Sequence, residues 1–151
     1  MFSLLGQYEV KMDAKGRVRL PSDLLRQVPE ASRRQYVLNK GLDTGCLNLY
    51  PIEKWREVEA KVNALNYFVP EHREFQRYFY RAVVQLELDG SDRILIPKRL
   101  QDEIKIKEDI VLLAFGQNIE IWPRDVFQSR VDHAPDNFSD MAGRVMGGSI
   151  L

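Results

Sequence analysis

The chain has little cysteine and histidine, and it has no long hydrophobic segment. Cys46 is the only cysteine among the 151 residues, so no disulfide can form within one chain. The two histidines, His72 and His133, lie far apart and show no metal-ligand spacing. No apolar run approaches the roughly 20 residues that cross a bilayer, and the opening residues lack the basic start and the apolar middle of a signal peptide. These absences predict a cytoplasmic protein with no disulfide framework, no metal site and no membrane partner.

An excess of positive charge is also missing, which at first argues against nucleic-acid binding. Lys and Arg number 22, Asp and Glu also number 22, and the formal net charge is zero. The placement is uneven, however, because residues 1–40 hold eight basic and four acidic side chains. Such an excess forms either a basic patch or an ordinary solvated surface of mixed charge, and composition alone leaves both interpretations open. With 44% hydrophobic residues, the chain suits one ordinary domain or two small, closely packed units.

The sequence contains two copies of one pattern. Residues 13–21 read D-A-K-G-R-V-R-L-P and residues 89–97 read D-G-S-D-R-I-L-I-P, so each copy has D-x-x-x-R, a short run rich in branched residues, and proline. Further along, L-N-L-Y-P at 47–51 is matched by I-E-I-W-P at 119–123, with an aromatic residue four positions beyond the proline in each case. A duplicated unit that cannot bury its apolar face alone packs against its copy. We therefore expect the two halves to share one core.

Residue periodicity predicts the same order of elements in each copy, β-β-α-β-β. In the first copy we expect strands and a proline-initiated helix over residues 7–12, 17–20, 21–27 (helix), 35–39 and 46–50. In the second copy the corresponding segments are 83–88, 93–96, 97–104 (helix), 110–115 and 119–122. In each copy a turn joins the first two strands, which we expect to pair as a β-hairpin. The predicted fold class is α+β and mainly β.

Residues 52–80 lie between the copies and follow a helical pattern. Apolar residues recur at helical spacing in the first part of this segment, which predicts an amphipathic helix, and Pro70 opens a second one. Aromatic residues crowd one face of that second helix, at Phe75, Tyr78 and Phe79. We interpret this face as core or subunit interface rather than as a surface on which bases stack.

These patterns divide the chain into four segments. Residues 1–51 form the first half-domain, 52–80 the connecting amphipathic helices, and 81–130 the second half-domain. Residues 131–151 are rich in Asp, Asn, Ser and Gly, and we expect them to form a mobile tail.

The D-x-x-x-R segments carry the candidate chemistry. A β-hairpin can enter the DNA major groove, where an arginine such as Arg17 reaches two acceptors on guanine or grips a phosphate. Asp13 can accept hydrogen bonds from turn amides or from the Arg17 guanidinium and so fix its orientation. Gly16 permits a positive φ angle or a close backbone approach, and Lys15 adds a cation. The alternative is a hairpin turn with a structural Asp–Arg ion pair and no ligand, which the repeated spacing makes less favourable.

The combination of motifs resembles the MraZ family of bacterial transcriptional regulators. The resemblance is carried by Met1-Phe2, D-A-K-G-R at 13–17 before Pro21, L-Y-P at 49–51 before Trp55, and D-G-S-D-R at 89–93. It implies two tandem AbrB-like half-domains, interleaved as a swapped-hairpin β-barrel, and a closed ring of eight or more identical subunits. It also implies binding to short repeated promoter elements in double-stranded DNA, upstream of the division and cell-wall gene cluster, by a cytoplasmic protein associated with the nucleoid.

The resemblance further implies which residues contact DNA. Carried over to this chain, they are Asp13, Lys15, Gly16, Arg17, Arg19, Asp89 and Arg93. The two copies differ, because Lys15-Gly16 before the first arginine is replaced by Ser91-Asp92 before the second. The second copy thus loses a cation and gains an anion. We therefore expect the first hairpin to dominate DNA contact, with Arg93 assisting or acting structurally.

Two other classes of function fit the sequence less well. A non-catalytic module of AbrB-like fold could use the hairpin arginines to hold another protein, as antitoxins of that fold clasp a toxin. An enzyme would need a nucleophile elbow, a phosphate loop, a metal cluster or a cysteine-histidine arrangement, and the sequence has none of these. We therefore expect no catalytic activity, no cofactor and no small-molecule substrate.

Overall fold

The computed structural model describes residues 2–147, which fold as a mixed α+β protein. The strands in chain order are β1 (Leu4–Lys11), β2 (Arg17–Arg19), β3 (Gln35–Asn39), β4 (Leu47–Pro51), β5 (Val84–Glu87), β6 (Arg93–Leu95), β7 (Asp109–Gly116) and β8 (Asn118–Pro123). The helices of this range are α1 (Ser22–Leu25), α2 (Ile52–Asn63), α3 (Pro70–Tyr80), α4 (Lys98–Ile104), α5 (Arg124–Arg130) and α6 (Phe138–Met146). A short 3-10 turn at Glu30–Ser32 precedes β3. The predicted order β-β-α-β-β is confirmed in each half.

Proline marks the start of helices at equivalent places in the two halves. Pro21, Pro51, Pro97 and Pro123 each stand directly before a helix, with φ between −59° and −55°. The pyrrolidine ring fixes φ near this value and removes the N–H group that a strand ladder would use. At Pro51 and Pro123 a strand therefore ends and a helix begins at the next residue.

The strands of the two halves are interleaved in one antiparallel sheet, with the order β1-β7-β8-β4-β3-β5. β1 pairs with β7, β4 with β8 and β3 with β5, so these three ladders each join one half of the chain to the other. β2 pairs with β6 in a separate two-stranded antiparallel ribbon, which also joins the halves. This interleaving explains why neither half can complete a core without its copy.

Two expectations about the strands are corrected. β1 and β2 do not form an extended hairpin, because beyond the turn their pairing is limited to a bridge between Met12 and Val18. After that bridge β2 leaves β1 and pairs with β6, and in the second copy β5 pairs with β3 rather than with β6. Within residues 2–147 the main sheet is also open, with β1 and β5 at its edges, rather than closed into a β-barrel. β2 and β6, which would have to connect these two edges, instead pair with each other in the separate ribbon.

A large apolar cluster fills the space between the sheet, the ribbon and the short helices. Equivalent residues of the two copies meet there and are each at most 1% exposed: Val18 and Ile94, Leu20 and Ile96, Leu24 and Leu100. Val18 and Ile94 stand opposite each other in the ribbon. Because successive side chains of a strand alternate between two faces, the neighbours of these two residues point away from the core.

The two connecting helices are confirmed, and their aromatic residues form a smaller cluster against the sheet. Trp55 of α2 stacks on Phe79 of α3 with ring centroids 5.9 Å apart, and it lies 5.4 Å from Tyr50. Phe75 and Tyr78, in contrast, keep 41% and 64% of their surface exposed. Phe79 is partly buried against this cluster, and α3 has no fully buried side chain, so the interpretation of its aromatic face as core or subunit interface stays a prediction.

The sequence patterns did not predict α5 and α6. α5 follows Pro123 and buries Phe127, whereas α6 lies in the tail and buries none of its side chains. The expected mobility of the tail stays a prediction, and its residues 148–151 lie outside the described part of the chain. Across residues 2–147, the helices are too short or too polar to span a bilayer.

The shared core makes a stability prediction. Leu112 of β7 is fully buried, so Leu112→Ala removes buried methyl groups and leaves a cavity that its neighbours fill only in part. We expect the free energy of unfolding to fall by about 2–5 kcal/mol, measured by urea denaturation. The matched control is Leu42→Ala, at a site 80% exposed, which should change it by less than about 0.5 kcal/mol. Equal effects of the two variants would contradict this account of the core.

Candidate functional site

The outward face of the β2–β6 ribbon carries an unusual set of side chains. The register pairs Arg17 with Leu95, Val18 with Ile94 and Arg19 with Arg93. Since the central pair is buried, strand alternation turns the other four side chains to the opposite face. Three arginines and one leucine therefore share a small surface formed by both copies of the D-x-x-x-R motif.

Asp13 holds the first of these arginines in place. Its Oδ1 accepts hydrogen bonds from the backbone N–H groups of Lys15 and Arg17, at 3.0 and 2.8 Å. Its Oδ2 accepts a hydrogen bond from Arg17 Nε at 2.8 Å. One carboxylate thus closes the turn and orients the guanidinium, which is the role the sequence analysis assigned to it.

Asp89 repeats this arrangement in the second copy. Its Oδ1 accepts from the backbone N–H groups of Ser91 and Arg93, at 2.8 and 3.0 Å, and its Oδ2 accepts from Arg93 Nε at 2.8 Å. Arg93 Nη1 also lies 3.9 Å from Asp13 Oδ2, so the two motifs are in electrostatic contact. The side chains of Arg17 and Arg93 are each 31% exposed, which leaves their outer parts accessible.

Both aspartates have a lowered pKa. For Asp13 the largest cause is the hydrogen bond from the Arg17 backbone N–H, with the Arg17 guanidinium and the Lys15 N–H adding to it. For Asp89 the largest cause is the hydrogen bond from the Arg93 backbone N–H, helped by that of Ser91. Each of these donors favours the ionised carboxylate. Both aspartates therefore remain charged throughout the neutral range.

The two turns differ at the position before the arginine. Gly16 adopts φ +87°, and its counterpart Asp92 adopts φ +60°, a conformation that few residues other than glycine tolerate. Gly16 is also buried against α4, where Gln101 Nε2 donates a hydrogen bond to Ile96 O at 2.7 Å. A Cβ atom at Gly16 would collide with Gln101 Nε2 and lie 3.2 Å from Ile96 O. Glycine is thus favoured in the first turn, because a side chain there would adopt a positive φ and would displace the Gln101 amide from its hydrogen bond to Ile96 O.

A cleft beside the ribbon adds a cation that the sequence analysis missed. Lys98, the first residue of α4, lines this cleft of about 320 Å³ together with Lys15, Gly16 and Leu95. Lys98 also makes an exposed ion pair with Asp102, at 3.1 Å, of a kind that contributes little energy in water. The signal that could have found Lys98 is its place directly after the proline of the second motif, since the helix that begins there packs beside the first turn.

All seven residues predicted from the sequence lie on the ribbon or in its two turns. Asp13, Lys15, Gly16 and Arg17 come from the first turn and the start of β2, and Asp89 and Arg93 hold the equivalent places in the second copy. Arg19, at the end of β2, reaches across and donates from Nε to Ser91 O at 3.0 Å. Their contact with DNA stays a prediction.

Among residues 2–147, few side chains are suited to metal binding or to nucleophilic chemistry. Across residues 2–147, no group of three or more His, Cys, Asp or Glu side chains is placed to hold a metal ion. Burial raises the pKa of the Cys46 thiol to about 12, so the reactive thiolate form is scarce at neutral pH. The accessible chemistry of the ribbon is that of oriented arginines, which bind acceptors such as phosphates, carboxylates and base edges.

Fold and site together define a tandem-repeat protein whose two halves build one arginine-bearing ribbon. A family model described as "MraZ protein, putative antitoxin-like" matches the chain twice, over residues 3–78 and 79–147. The chain is 37% identical to the transcriptional regulator MraZ of Christiangramia forsetii, over 97% of this chain and 95% of the relative. It is 37% identical to that of Flavobacterium psychrophilum, over 97% and 94%, and 36% identical to that of a Thermoanaerobacter species, over 92% and 94%. The chain belongs to the MraZ family, which confirms the resemblance seen in its motifs.

The buried glycine of the first turn gives a test of this geometry. Gly16→Ala should lower the free energy of unfolding by about 1–3 kcal/mol, because the new methyl group meets α4 and the backbone holds a positive φ. Gly90→Ala, in the second turn, is the matched control, since a Cβ there meets nothing within 4 Å. The free energies of unfolding of both variants are measured by urea denaturation. Equal stability of Gly16→Ala and Gly90→Ala would contradict the described packing of Gly16 against α4.

The lowered aspartate pKa values predict a particular acid dependence of stability. An aspartate whose pKa is lower in the folded state stabilises the fold above its ordinary value near 3.8, and this contribution disappears as the pH falls through the folded pKa. Asp13→Asn should therefore be less stable than the wild type at neutral pH, and the difference should shrink as the pH falls below 3.8. Urea midpoints measured across the acid range test this.

The control for that experiment is Asp136→Asn, which removes one charge at an exposed position of the tail. It should leave the wild-type midpoint nearly unchanged at neutral pH. A stability difference for Asp13→Asn that stayed constant down to strong acid would show that the carboxylate charge has no part in bracing the turn.

Proposed function

We propose that the protein is a sequence-specific transcriptional regulator that binds double-stranded DNA through the β2–β6 ribbon. The observation that carries this proposal is the outward ribbon face, on which Arg17, Arg19 and Arg93 stand together and two of them are fixed by aspartates. The names of the relatives, transcriptional regulator MraZ, support a role in transcription. No catalytic step and no cofactor form part of this function.

The shape of the ribbon suits the major groove. A two-stranded β-ribbon fits that groove, and an arginine reads guanine by donating to its O6 and N7 atoms. In Arg17 and Arg93 the Nε–H is already engaged by aspartate, so the outer Nη groups are the part that would meet a base or a phosphate. Because the guanidinium is oriented before binding, less side-chain entropy is lost when the contact forms.

The first copy should contribute more to DNA binding than the second. Its turn carries Lys15, and Lys98 of α4 lies in the same cleft, so two cations accompany Arg17. The turn of the second copy instead has Ser91 and the acidic Asp92. We therefore assign the main contact to Lys15, Gly16 and Arg17, with Arg93 in a supporting role.

Assembly would supply the affinity that one ribbon of a neutral chain lacks. We propose AbrB-like half-domains that are interleaved by exchange of strands, an arrangement supported by the four ladders that join the two halves. We further propose that eight or more subunits form a closed ring. Several ribbons of a ring can engage successive short repeats along one duplex, and the second contact then forms at a high effective concentration. The proposed targets are promoter repeats upstream of the division and cell-wall gene cluster, bound in the cytoplasm at the nucleoid.

A protein partner is the second candidate ligand. The family description contains the word antitoxin-like, and oriented arginines bind carboxylates as well as phosphates. In that case the ribbon would hold an acidic surface of another protein and would be indifferent to DNA sequence. The experiment below separates the two candidates.

Replacement of Arg17 tests the proposal directly. We expect Arg17→Ala to weaken binding to DNA from the protein's own upstream region by about 1–3 kcal/mol per site, because a bidentate base contact is lost. The measurement is fluorescence anisotropy against that DNA and a scrambled duplex, at two salt concentrations. The slope of log affinity against log salt should be about −0.9 for each phosphate contact, so it counts the contacts that the cations make.

The control is Arg56→Ala, which removes one positive charge from an exposed position of α2, away from the ribbon. It should keep the wild-type affinity and preference. If Arg17→Ala bound DNA as well as the wild type, or if the wild type did not prefer its upstream DNA over the scrambled duplex, the ribbon would not be a DNA reader and the protein partner would be favoured.

A further inference from the structure

Leu95 stands out on the ribbon because it is an apolar side chain among arginines, and 53% of its surface is exposed. We propose that Leu95 contacts the methyl group of a thymine in the major groove and gives the bound DNA site a direction. This inference rests on the proposed DNA-binding function and adds a residue that determines which base is read at one end of the ribbon.

The internal symmetry of the ribbon identifies the residue that Leu95 replaces. The buried pair of Val18 and Ile94 lies at the centre of the register, and a rotation of half a turn about that point exchanges the two copies. This rotation exchanges Arg17 with Arg93, both of which are braced by aspartate. It also exchanges Arg19 with Leu95. One end of the ribbon therefore presents two arginines side by side, and the other presents Arg17 beside Leu95.

An exposed leucine alone does not indicate a binding site, because single apolar residues are common on protein surfaces. The position of Leu95 is what matters here. It stands directly across from Arg17, and side chains opposite each other in an antiparallel pair have Cβ atoms about 4.5–5.5 Å apart. A base edge that meets Arg17 thus brings a neighbouring base close to Leu95. In the major groove, apolar contact with the C5 methyl group is the means by which thymine is distinguished.

The surroundings of Leu95 also differ between the two ends. Lys15 and Lys98 line the same cleft as Leu95, so two cations that can contact phosphates flank it. At the other end, the equivalents of these lysines are Ser91 and Ser22. The end with leucine therefore has additional phosphate contacts available, and the end with two arginines has fewer. The two ends of the ribbon thus differ both in the side chains that would read bases and in the number of cations. A palindromic DNA site has two identical halves, so it would not match these two ends.

The test begins with a pool of short DNA duplexes of randomised sequence, from which the wild-type protein and Leu95→Ala each select their preferred site. The wild type should select an asymmetric site in which a thymine lies next to the guanine read by Arg17. Leu95→Ala should keep the guanine preference and lose the thymine preference. Leu5→Ala, at an exposed leucine of β1 away from the ribbon, should select the wild-type site.

Uracil supplies the decisive measurement, because deoxyuridine differs from thymidine by the methyl group alone. Replacing the thymines of the selected duplex one at a time should weaken wild-type binding about fourfold at one position, which is the value expected for a buried methyl group. Leu95→Ala should bind the thymine and uracil duplexes equally. A wild type that is indifferent to every such methyl group, or a variant that keeps the fourfold difference, would overturn the proposal.

Two further outcomes separate this inference from the function on which it rests. If the wild type selects no sequence and Arg17→Ala binds the pool equally well, the DNA-binding proposal itself fails. If selection depends on Arg17 but shows no thymine preference, only the role of Leu95 is wrong. A change in subunit number of Leu95→Ala, measured by light scattering, would show that Leu95 is a contact between copies and would also overturn the proposal.

Discussion

The antiparallel pairing of β2 with β6 is the constraint on which the rest of this structure depends. These strands are three residues long, and a short two-stranded ribbon is not stable alone in water. It persists here because Val18 and Ile94 cover the apolar core formed by both halves. The same pairing draws the two D-x-x-x-R turns into one surface, and the strands that lead into these turns, β1 and β5, also pair with strands of the opposite half. Interleaved topology and clustered arginines therefore occur together in this fold.

The aspartate brace explains how a flexible side chain is held in one orientation. An arginine gives up about 1.5–2 kcal/mol of side-chain entropy when it is held in one rotamer. Asp13 and Asp89 each accept two backbone hydrogen bonds and one guanidinium hydrogen bond, so folding of the turn and ordering of the arginine occur together. The backbone donors also keep the carboxylates ionised, so the brace is maintained across the neutral range.

The sequence was sufficient for the parts of the fold that depend on local pattern. The duplicated motif, the helices that begin after Pro21 and Pro97 and the pairing of Asp13 with Arg17 all follow from residue spacing and turn chemistry. The partner of β2 was not predictable in the same way, because alternation specifies which face of a strand is buried but not which strand lies beside it. For that reason a simple hairpin was expected where the ribbon occurs. Lys98 was missed for a related reason, since it approaches Lys15 only through the pairing of β6 with β2.

The duplication also has a consequence for how such a protein can change. If the ribbon were built by two identical separate chains, each substitution would alter both turns at once. Here α2 and α3 join the halves covalently, so the two turns are encoded by different codons. Gly16 and Asp92 hold the same backbone role with different side chains, and Lys15 and Ser91 have likewise diverged. Substitutions in one half of the chain can thus adapt its turn to a ligand, while the turn of the other half keeps the backbone geometry on which the ribbon depends.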